Sequence, residues 1–449
     1  MEWLFSNTQV TYEPYPIIFF YLIALVGIVL LFVRPYWALL FSLFCLAARN
    51  FHAAVYTRTP FLGPYLNLND LLEWIAIFAM LMEFLRYRRK IWAPGILLAL
   101  FGLIIIGDVQ SLIKYGLAEN VMRRIWSTAI FPIMFLVSCN MVFSEDRARK
   151  SYWALFIGAV LAAIQHIIYV RALPSYILEN KYMFIRTISY SMSGGSYILV
   201  AFIVHPFTEF RGLKLFGYHT GLTLIGLSCV LSLTRGLWVI MVATIILFPL
   251  FLYKKIFISR SSVNMAGIFI GILLIVSLLF PSLRFGEMLS DRFRSFTTKE
   301  TFSKSYASRA EGQRTEINIW LNGSIILGAG STLPLEYVYA DRYVTGALGH
   351  VGYATYLSHY GVLGLLLYLV LLPLLTFKVG KKYYSRHSMD YGGKLVLVGL
   401  ACVIMDVVSC LTSNHLLGAT SHIQGLLYGT VWGLWRANTF TGEKDVKRF

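Results

Sequence analysis

Long apolar runs recur along almost the whole sequence, and they restrict the possible folds more than any other feature. A helix needs roughly 20 mostly apolar residues to cross a hydrocarbon layer about 30 Å thick, and about 12–13 runs approach that length. The runs lie near 16–33, 35–50, 69–86, 92–108, 126–143, 152–170, 190–206, 215–233, 236–253, 264–281, 355–377, 394–412 and 416–435. Hydrophobic residues make up 57% of the chain and charged residues only 14%, which is typical of membrane proteins. The sequence therefore predicts an all-α polytopic membrane protein.

Basic clusters occur at every second connection between these runs and indicate the orientation of the chain. Positive residues collect on the cytoplasmic side of membrane proteins. The clusters are Arg86–Lys90, Arg147–Lys150, Arg211 with Lys214, Lys254–Arg260 and Lys378–Arg386. With the clusters inside, the N-terminus and the connections 51–67, 109–125, 171–189 and 282–354 lie outside. The net charge of +17 then reflects orientation and contact with anionic membrane lipids, and it does not indicate a nucleic-acid partner.

The spacing of the runs divides the chain into four parts. Residues 1–281 contain about ten spans, 282–354 form one large outer loop, 355–435 contain the C-terminal spans, and 436–449 form a cytoplasmic tail. No basic stretch precedes the first run, so we expect a retained anchor rather than a cleaved signal peptide. The five cysteines lie in or beside apolar runs without metal-binding spacing, which favours small buried hydrophobic residues.

The connection 282–354 is long enough to have structure of its own. Loops of this length are uncommon unless they are functional. Its pattern predicts a helix from Ser308 to Ile326, followed by a Gly-rich turn at Leu327–Ser331. The chain returns to the membrane through Gly349–Tyr353. We therefore predict one large, partly helical periplasmic loop.

Three features of the outer side have side chains that could bind or react. Arg235 separates two apolar runs, and it is either a charge that reaches lipid head groups or a functional residue facing the bundle. Arg309 and Arg314 lie on the predicted loop helix, where they either bind a substrate or pair with neighbouring glutamates. His350 is either a hydrogen-bonded interfacial residue or a proton-exchanging group.

The combination of these residues favours a chemical site over the separate structural explanations. Arginine forks match the geometry of a diphosphate, and a histidine can activate a hydroxyl group. The loop sequence has no carboxylate cluster of the metal-binding type, so we predict neither a metal nor a cofactor. A sugar attached to a membrane-embedded diphosphate is a substrate that fits such a site.

Three short motifs occur in a fixed order across the C-terminal half of the chain. They are Thr234–Trp238 at a span junction, Arg314–Trp320 running into Leu327–Gly330, and His350 followed by Gly361 and Gly364. In order and spacing, this set resembles the O-antigen ligase and O-antigen polymerase superfamily of bacterial envelope glycan assembly. Val351, Ala354 and Ser331 depart from the residues usual in that superfamily, and they bear on the subfamily more than on the superfamily.

The resemblance implies a membrane fold of the glycosyltransferase C type, with the outer loop capping an outward cavity. The donor would be an oligosaccharide on a polyprenyl diphosphate, usually undecaprenyl diphosphate, transferred with inversion and without a metal. Arg235 and Arg314 would bind the diphosphate, and His350 would activate the acceptor hydroxyl. Arg309 and Arg342 would add positive charge near the diphosphate, although neither belongs to one of the three motifs. The protein would lie in the bacterial inner membrane with its site facing the periplasm.

Two functions within this superfamily and two outside it stay open. A polymerase transfers the glycan to another lipid-linked repeat, and a ligase transfers it to a lipid A core or a similar anchor. The departures around His350 favour the polymerase, for which a separate chain-length regulator is a candidate partner. Outside the superfamily, the chain could be a lipid-linked glycan transporter or flippase, or a non-catalytic scaffold. Both of these functions predict that His350→Ala leaves glycan transfer intact.

Overall fold

Helices dominate the part of the chain that the structure describes. The computed structural model describes residues 14–48, 68–88, 90–116, 119–172, 193–204, 212–231, 235–252, 299–330, 335–339, 342–346, 352–411 and 421–440. Every predicted apolar run coincides with a helix, except that the run 264–281 lies outside the described residues.

The elements, in chain order, begin with the helices that precede the outer loop. They are α1 (Pro14–Val33), α2 (Pro35–Ala47), α3 (Leu68–Tyr87), α4 (Gly95–Tyr115), α5 (Glu119–Met141), α6 (Glu145–Ala172), α7 (Ser193–Val204), α8 (Gly212–Leu231) and α9 (Arg235–Leu252). The later elements are α10 (Lys299–Asn322), β1 (Leu335–Tyr339), β2 (Arg342–Gly346), α11 (Gly352–Leu365), a π-helical turn (Leu366–Leu371), α12 (Leu372–His387), α13 (Tyr391–Ser409) and α14 (Ser421–Phe440).

Several of these helices have the length and composition of membrane spans. Among the described residues, the segments Gly95–Lys114, Gly352–His387 and Tyr391–Ser409 are long and apolar enough to cross a membrane, and shorter apolar helices accompany them. Leu98, Ile105 and Ile113 of α4 are exposed to the surroundings, while neighbouring Leu97 and Leu100 are buried, so the helix has a distinct outward face. These features support the coarse prediction of a helical membrane protein.

The tightest helix pair is formed by α14 and α5. Gly425, Gly429 and Gly433 repeat at four-residue spacing and lie on one face of α14, directly against the backbone of α5. A Cβ atom on Gly429 would overlap the carbonyl oxygen of Phe135, so only glycine permits this approach. Small residues at this spacing let membrane helices pack closely. The pair forms the centre of the bundle, and α12 and α13 also pack against α14.

Polar contacts hold the helix ends that carry the basic clusters. The Arg147 guanidinium lies 2.5 Å from the buried Glu83 carboxylate, which joins the end of α3 to the start of α6. The Tyr36 hydroxyl donates to the carbonyl oxygen of Arg147 at 2.6 Å. The Glu145 carboxylate accepts the backbone amides of Tyr391 at 2.6 Å and of Gly392 at 2.8 Å, and so caps the N-terminus of α13.

The outer loop differs in two respects from its prediction. The predicted helix from Ser308 to Ile326 exists, but it runs from Lys299 to Asn322. It ends early because the Trp320 indole and the Ser324 side chain bond to backbone groups of the turn that follows. The antiparallel hairpin β1–β2, in which Tyr339 pairs with Arg342, was not predicted.

Candidate functional site

The loop helix α10 has one exposed face and one buried face. Glu311, Arg314, Asn318 and Leu321 are exposed, and their spacing of three or four residues places them on one side of the helix. Among the described residues, no carboxylate lies within ion-pair distance of Arg314. The described chain therefore does not adopt the arrangement in which Arg314 pairs with a neighbouring glutamate on a solvated helix. The guanidinium of Arg314 is available to an external anion.

The other face of α10 is fixed to the first turns of α11. Thr355 donates a hydrogen bond from Oγ1 to Oε1 of Glu316 at 2.7 Å, and both side chains are completely buried. The Gln313 amide also bonds to the Tyr353 hydroxyl. Glu316 is thus turned inward, away from the exposed face that carries Arg314. These contacts set the rotation of α10 about its axis.

The Gly-rich turn after α10 adopts a conformation that suits glycine. Gly328 has φ +72° and Gly330 has φ +102°, a region that other residues rarely adopt. The Gly328 amide donates to the carbonyl oxygen of Ser324 at 2.7 Å, which closes the turn. A Cβ atom on Gly328 would also come within 2.6 Å of the Tyr360 nitrogen. The turn can therefore lie directly on the backbone of α11.

Helix α11 is interrupted where the turn meets it. Gly361 has φ +63° and ψ −162°, which breaks the helical hydrogen-bond pattern. The amides of Ala329 and Gly330 donate to the carbonyl oxygens of Ser358 and His359 at 2.8 and 3.1 Å. These bonds satisfy carbonyl groups that the break would otherwise leave without partners in an apolar region.

The amides on the far side of the break are satisfied in the same way. Val362 and Leu363 donate to the carbonyl oxygens of Ile325 and Ile326 at 3.0 and 3.2 Å. The turn and the broken helix thus complete each other's backbone hydrogen bonding. One structural unit is therefore formed by two motifs that are well separated in the sequence. They are the turn Leu327–Gly330 and the pair Gly361 and Gly364. We call this unit, residues 325–330 with 358–363, the outer junction.

The outer junction also rests on α4. A Cβ atom on Gly330 would come within 2.8 Å of the Ser111 hydroxyl and 3.1 Å of the Gly107 carbonyl oxygen. Gly330 therefore brings the turn into contact with α4 as well as α11. The first turn of α11 is held separately, because the Tyr353 amide donates to the carbonyl oxygen of Cys410 at 3.3 Å, just beyond α13.

His350 lies outside the described residues. It precedes α11 by two positions in the sequence, and α11 begins at Gly352. His359, which the sequence suggests is a structural residue within the bundle, is completely buried.

Arg235 is the first residue of α9, at the junction with α8. The Trp238 indole donates to the carbonyl oxygen of Cys229 at 3.0 Å and so ties α9 to α8. This bond gives the tryptophan of the Thr234–Trp238 motif a structural role. Helix α9 packs against α7 and α13, whereas α10 packs against α11 and β1. The contacts thus place Arg235 and Arg314 on elements that are linked through α13 and α11.

Arg309 and Arg342 occupy the elements around Arg314. Arg309 lies on α10, five residues before Arg314, and about 7–8 Å from it along the helix axis. Arg342 is the first residue of β2, which pairs with β1, and β1 packs against α10. The structure thus brings the backbones of Arg309, Arg314 and Arg342 into one substructure. The orientations of the Arg235, Arg309 and Arg342 side chains lie outside the described part of the structure.

Sequence reasoning missed a buried acid near the start of α3. The Glu73 carboxylate accepts a hydrogen bond from the Trp126 indole at 3.1 Å and lies 3.3 Å from Nδ1 of His422. The three residues thus join α3, α5 and α14. An acidic residue within an apolar run was the available signal, since such residues are rare unless they have a partner or a function.

A second buried acid, Asp406, lies near the end of α13. It accepts a hydrogen bond from the Tyr197 hydroxyl at 3.3 Å, and Gln424 donates to the same hydroxyl at 3.1 Å. Gln424 and His422 both belong to the first turn of α14, so this turn contacts Glu73 directly and reaches Asp406 through Tyr197. These contacts join the first turn of α14 to α3, α7 and α13.

Among the described residues of this region, the exposed guanidinium of Arg314 is a group that can bind an anion. Arg314 presents a guanidinium fork that no described carboxylate engages, on a helix whose opposite face is anchored, and this arrangement suits a phosphate group. Within the described residues, no group of three or more His, Cys, Asp or Glu side chains is placed to hold a metal ion. Comparison with known proteins adds no assignment, because no protein-family model matches the chain and no curated protein is significantly similar to it.

Proposed function

We propose that the chain is a membrane glycosyltransferase that takes an oligosaccharide from a polyprenyl diphosphate donor, such as undecaprenyl diphosphate. The acceptor is a glycan or glycolipid on the outer face of the membrane, and the activity is that of an O-antigen or exopolysaccharide polymerase. In this proposal the chain has about 12–13 spans and a glycosyltransferase C-type fold. It lies in the bacterial inner membrane, with its site facing the periplasm.

The observation that carries the proposal is the exposed Arg314 on the anchored helix α10, where no described carboxylate pairs with it. A structural arginine on a solvated helix would be expected to pair with the nearby glutamates, but Glu316 is buried against Thr355. The outer junction supports the same conclusion, because it joins two of the three motifs on which the family resemblance rests. The glycines of these motifs meet in one structural unit, and Arg314 beside them forms no ion pair with a described carboxylate.

The proposed reaction assigns one role to each type of side chain. His350 takes the proton from the acceptor hydroxyl, whose oxygen attacks the anomeric carbon of the donor sugar from the face opposite the diphosphate. The new glycosidic bond forms as the bond to the diphosphate oxygen breaks. Arg235 and Arg314 stabilise the negative charge on the departing polyprenyl diphosphate, and Arg309 and Arg342 add positive potential nearby. The reaction needs no metal ion, because the arginines supply the charge stabilisation.

The test uses purified protein in lipid, supplied with a polyprenyl-diphosphate oligosaccharide and no second acceptor. We expect mass spectrometry to show products that grow by whole repeats, and we expect activity to persist in a chelator. Arg314→Ala should lower the rate by about 100-fold or more, as loss of a charge-stabilising group usually does. Arg314→Lys should retain part of the activity, because it keeps the charge but loses the two-pronged geometry.

Arg149→Ala is the matched control for Arg314→Ala. Arg149 is also an exposed helical arginine, but it pairs with Asp146 at 2.9 Å on the side of the basic clusters. We expect this variant to retain wild-type activity, since exposed pairs contribute little. Products that appear only when a lipid A core is added would identify a ligase instead. Absence of transfer to any acceptor, or full activity of Arg314→Ala, would contradict the proposal.

A further inference from the structure

A hydrogen bond between two buried side chains connects the helix that carries Arg314 to the helix that follows His350. Oγ1 of Thr355 lies 2.7 Å from Oε1 of Glu316, and neither side chain is accessible to solvent. A carboxylate in such a place is costly unless donors surround it. Glu316 therefore costs more free energy at this buried position than an apolar side chain would.

The position of this bond gives it a specific consequence. Glu316 is two residues after Arg314, on the opposite side of α10 from the exposed face. Thr355 lies in the first turn of α11, five residues after His350. The neighbouring contact between Gln313 and Tyr353 joins the same two segments. The two pairs together fix how the helices are rotated against each other.

We propose that Glu316 and Thr355 are positioning residues, which hold α10, and with it Arg314, at a fixed rotation against α11 for glycan transfer. The inference rests on the proposed function and deepens it, because it gives a role to two residues to which no sequence motif assigns one. The two side chains contact each other through a hydrogen bond. Thr355 donates, Glu316 accepts, and neither residue needs to touch the substrate.

The bond should affect the rate of reaction more than substrate binding. Misplacing a reacting or charge-stabilising group by about 1 Å can reduce a rate on the order of 100-fold. In the proposed function Arg314 stabilises the negative charge that develops as the diphosphate departs, so moving it should destabilise the transition state more than the bound donor. A purely structural role would instead lower the amount of folded protein and leave the kcat of the remaining protein unchanged.

The experiment is a substitution series at Thr355 with kcat and KM measured for the lipid-linked donor. Thr355→Val keeps the shape and removes the donor, and we expect kcat to fall at least about tenfold with KM changed less than about threefold. Thr355→Ser keeps the hydroxyl and should restore kcat to within about threefold of wild type. Glu316→Ala should show the loss seen with Thr355→Val. The double variant should lose clearly less than the two single losses added together, because both substitutions remove the bond between Thr355 and Glu316.

The control is Thr430→Val, which removes a buried and hydrogen-bonded threonine hydroxyl from α14. Wild-type kcat for Thr355→Val, a loss that Thr355→Ser does not restore, or additive losses in the double variant would overturn the inference. In each of these cases the proposed function stands, provided that the wild-type protein transfers glycan and His350→Ala does not. Absence of transfer by the wild-type protein would reject the proposed function itself. Hydrogen exchange of α10 and α11 amides would still show whether Thr355→Val loosens the two helices.

Discussion

Glycine serves two different purposes in two regions of this molecule, the α5–α14 pair and the outer junction. In α14, Gly425, Gly429 and Gly433 have ordinary helical backbone angles and are needed because any side chain would overlap α5. In the outer junction, Gly328 and Gly361 have positive φ values and are needed for the conformation as well as for the space. The first region therefore depends on residue size, and the second depends on backbone geometry.

The two regions also differ in what their contacts leave exposed. The α5–α14 interface is closed, and its polar contact between Ser138 and Thr430 is completely internal. The outer junction uses backbone hydrogen bonds between separate segments, and beside it α10 presents Arg314 and Leu321 to the outside. A closed helix pair provides a scaffold. An interrupted helix with an exposed cation beside it is typical of a functional site. Irregular backbone often occurs at such sites, because it is retained for function.

The largest expected effect is the loss of the folded bundle when Gly429 becomes leucine. The substitution places a large side chain where even a Cβ atom would overlap the Phe135 carbonyl oxygen, so α14 must separate from α5. We expect little monodisperse protein in size-exclusion chromatography. Gly102→Leu is the matched control, because nothing lies within 4 Å of a Cβ atom at that position of α4. Equal yields of the two variants would show that α5 and α14 do not form the scaffold.

The next largest effect is expected for Gly361→Ala, which should separate activity from folding. Alanine at φ +63° costs about 1–2 kcal/mol, and its Cβ atom would overlap the Ile326 carbonyl oxygen. We expect the outer junction to open and glycan transfer to fall below detection, while most of the protein stays monodisperse. The measurement combines transfer activity with the melting temperature.

Gly102→Ala provides the control for this second prediction. The position is an open site in α4, and alanine favours a helix over glycine by about 1 kcal/mol. It should keep activity and melt at or slightly above the wild-type temperature. If Gly361→Ala lowered the yield of folded protein as severely as Gly429→Leu, the outer junction would be part of the scaffold, and the distinction between the two regions would fail.

The sequence allowed the scaffold to be predicted better than the outer junction. Apolar runs mark helices directly, because a span must be long and apolar. The Gly-rich turn after α10 was also predicted, since glycine clusters mark turns. The break at Gly361 was not predicted, because the Gly361–Gly364 pair also fits two helices in close approach. The backbone angles of Gly361 and the bonds to Ile325 and Ile326 show that the helix is interrupted there.

The exposed face of α10 could be predicted only in part. The helical period places Arg314 and Asn318 on one face, but it does not say which face is buried in a helix with few apolar residues. From the helix pattern alone, pairing of Arg314 with Glu311 or Glu316 is the favoured interpretation, and the bond from Thr355 shows that Glu316 faces the other way. The partners of Glu73 were beyond prediction for a similar reason, because His422 is distant in the sequence.

The smallest effect is expected for Thr430→Val in the closed helix pair. The Thr430 hydroxyl lies 2.6 Å from the Ser138 hydroxyl and donates to the Leu426 carbonyl oxygen at 2.8 Å. Interhelical hydrogen bonds of this kind contribute on average about 0.6 kcal/mol in membrane proteins. We expect the variant to melt slightly below wild type and to transfer glycan at the wild-type rate. Thr355→Val makes the same chemical change beside the outer junction and should lower kcat at least about tenfold. Equal losses of kcat in the two variants would mean that transfer depends on helix packing in general, and that the α10–α11 contact has no special part in it.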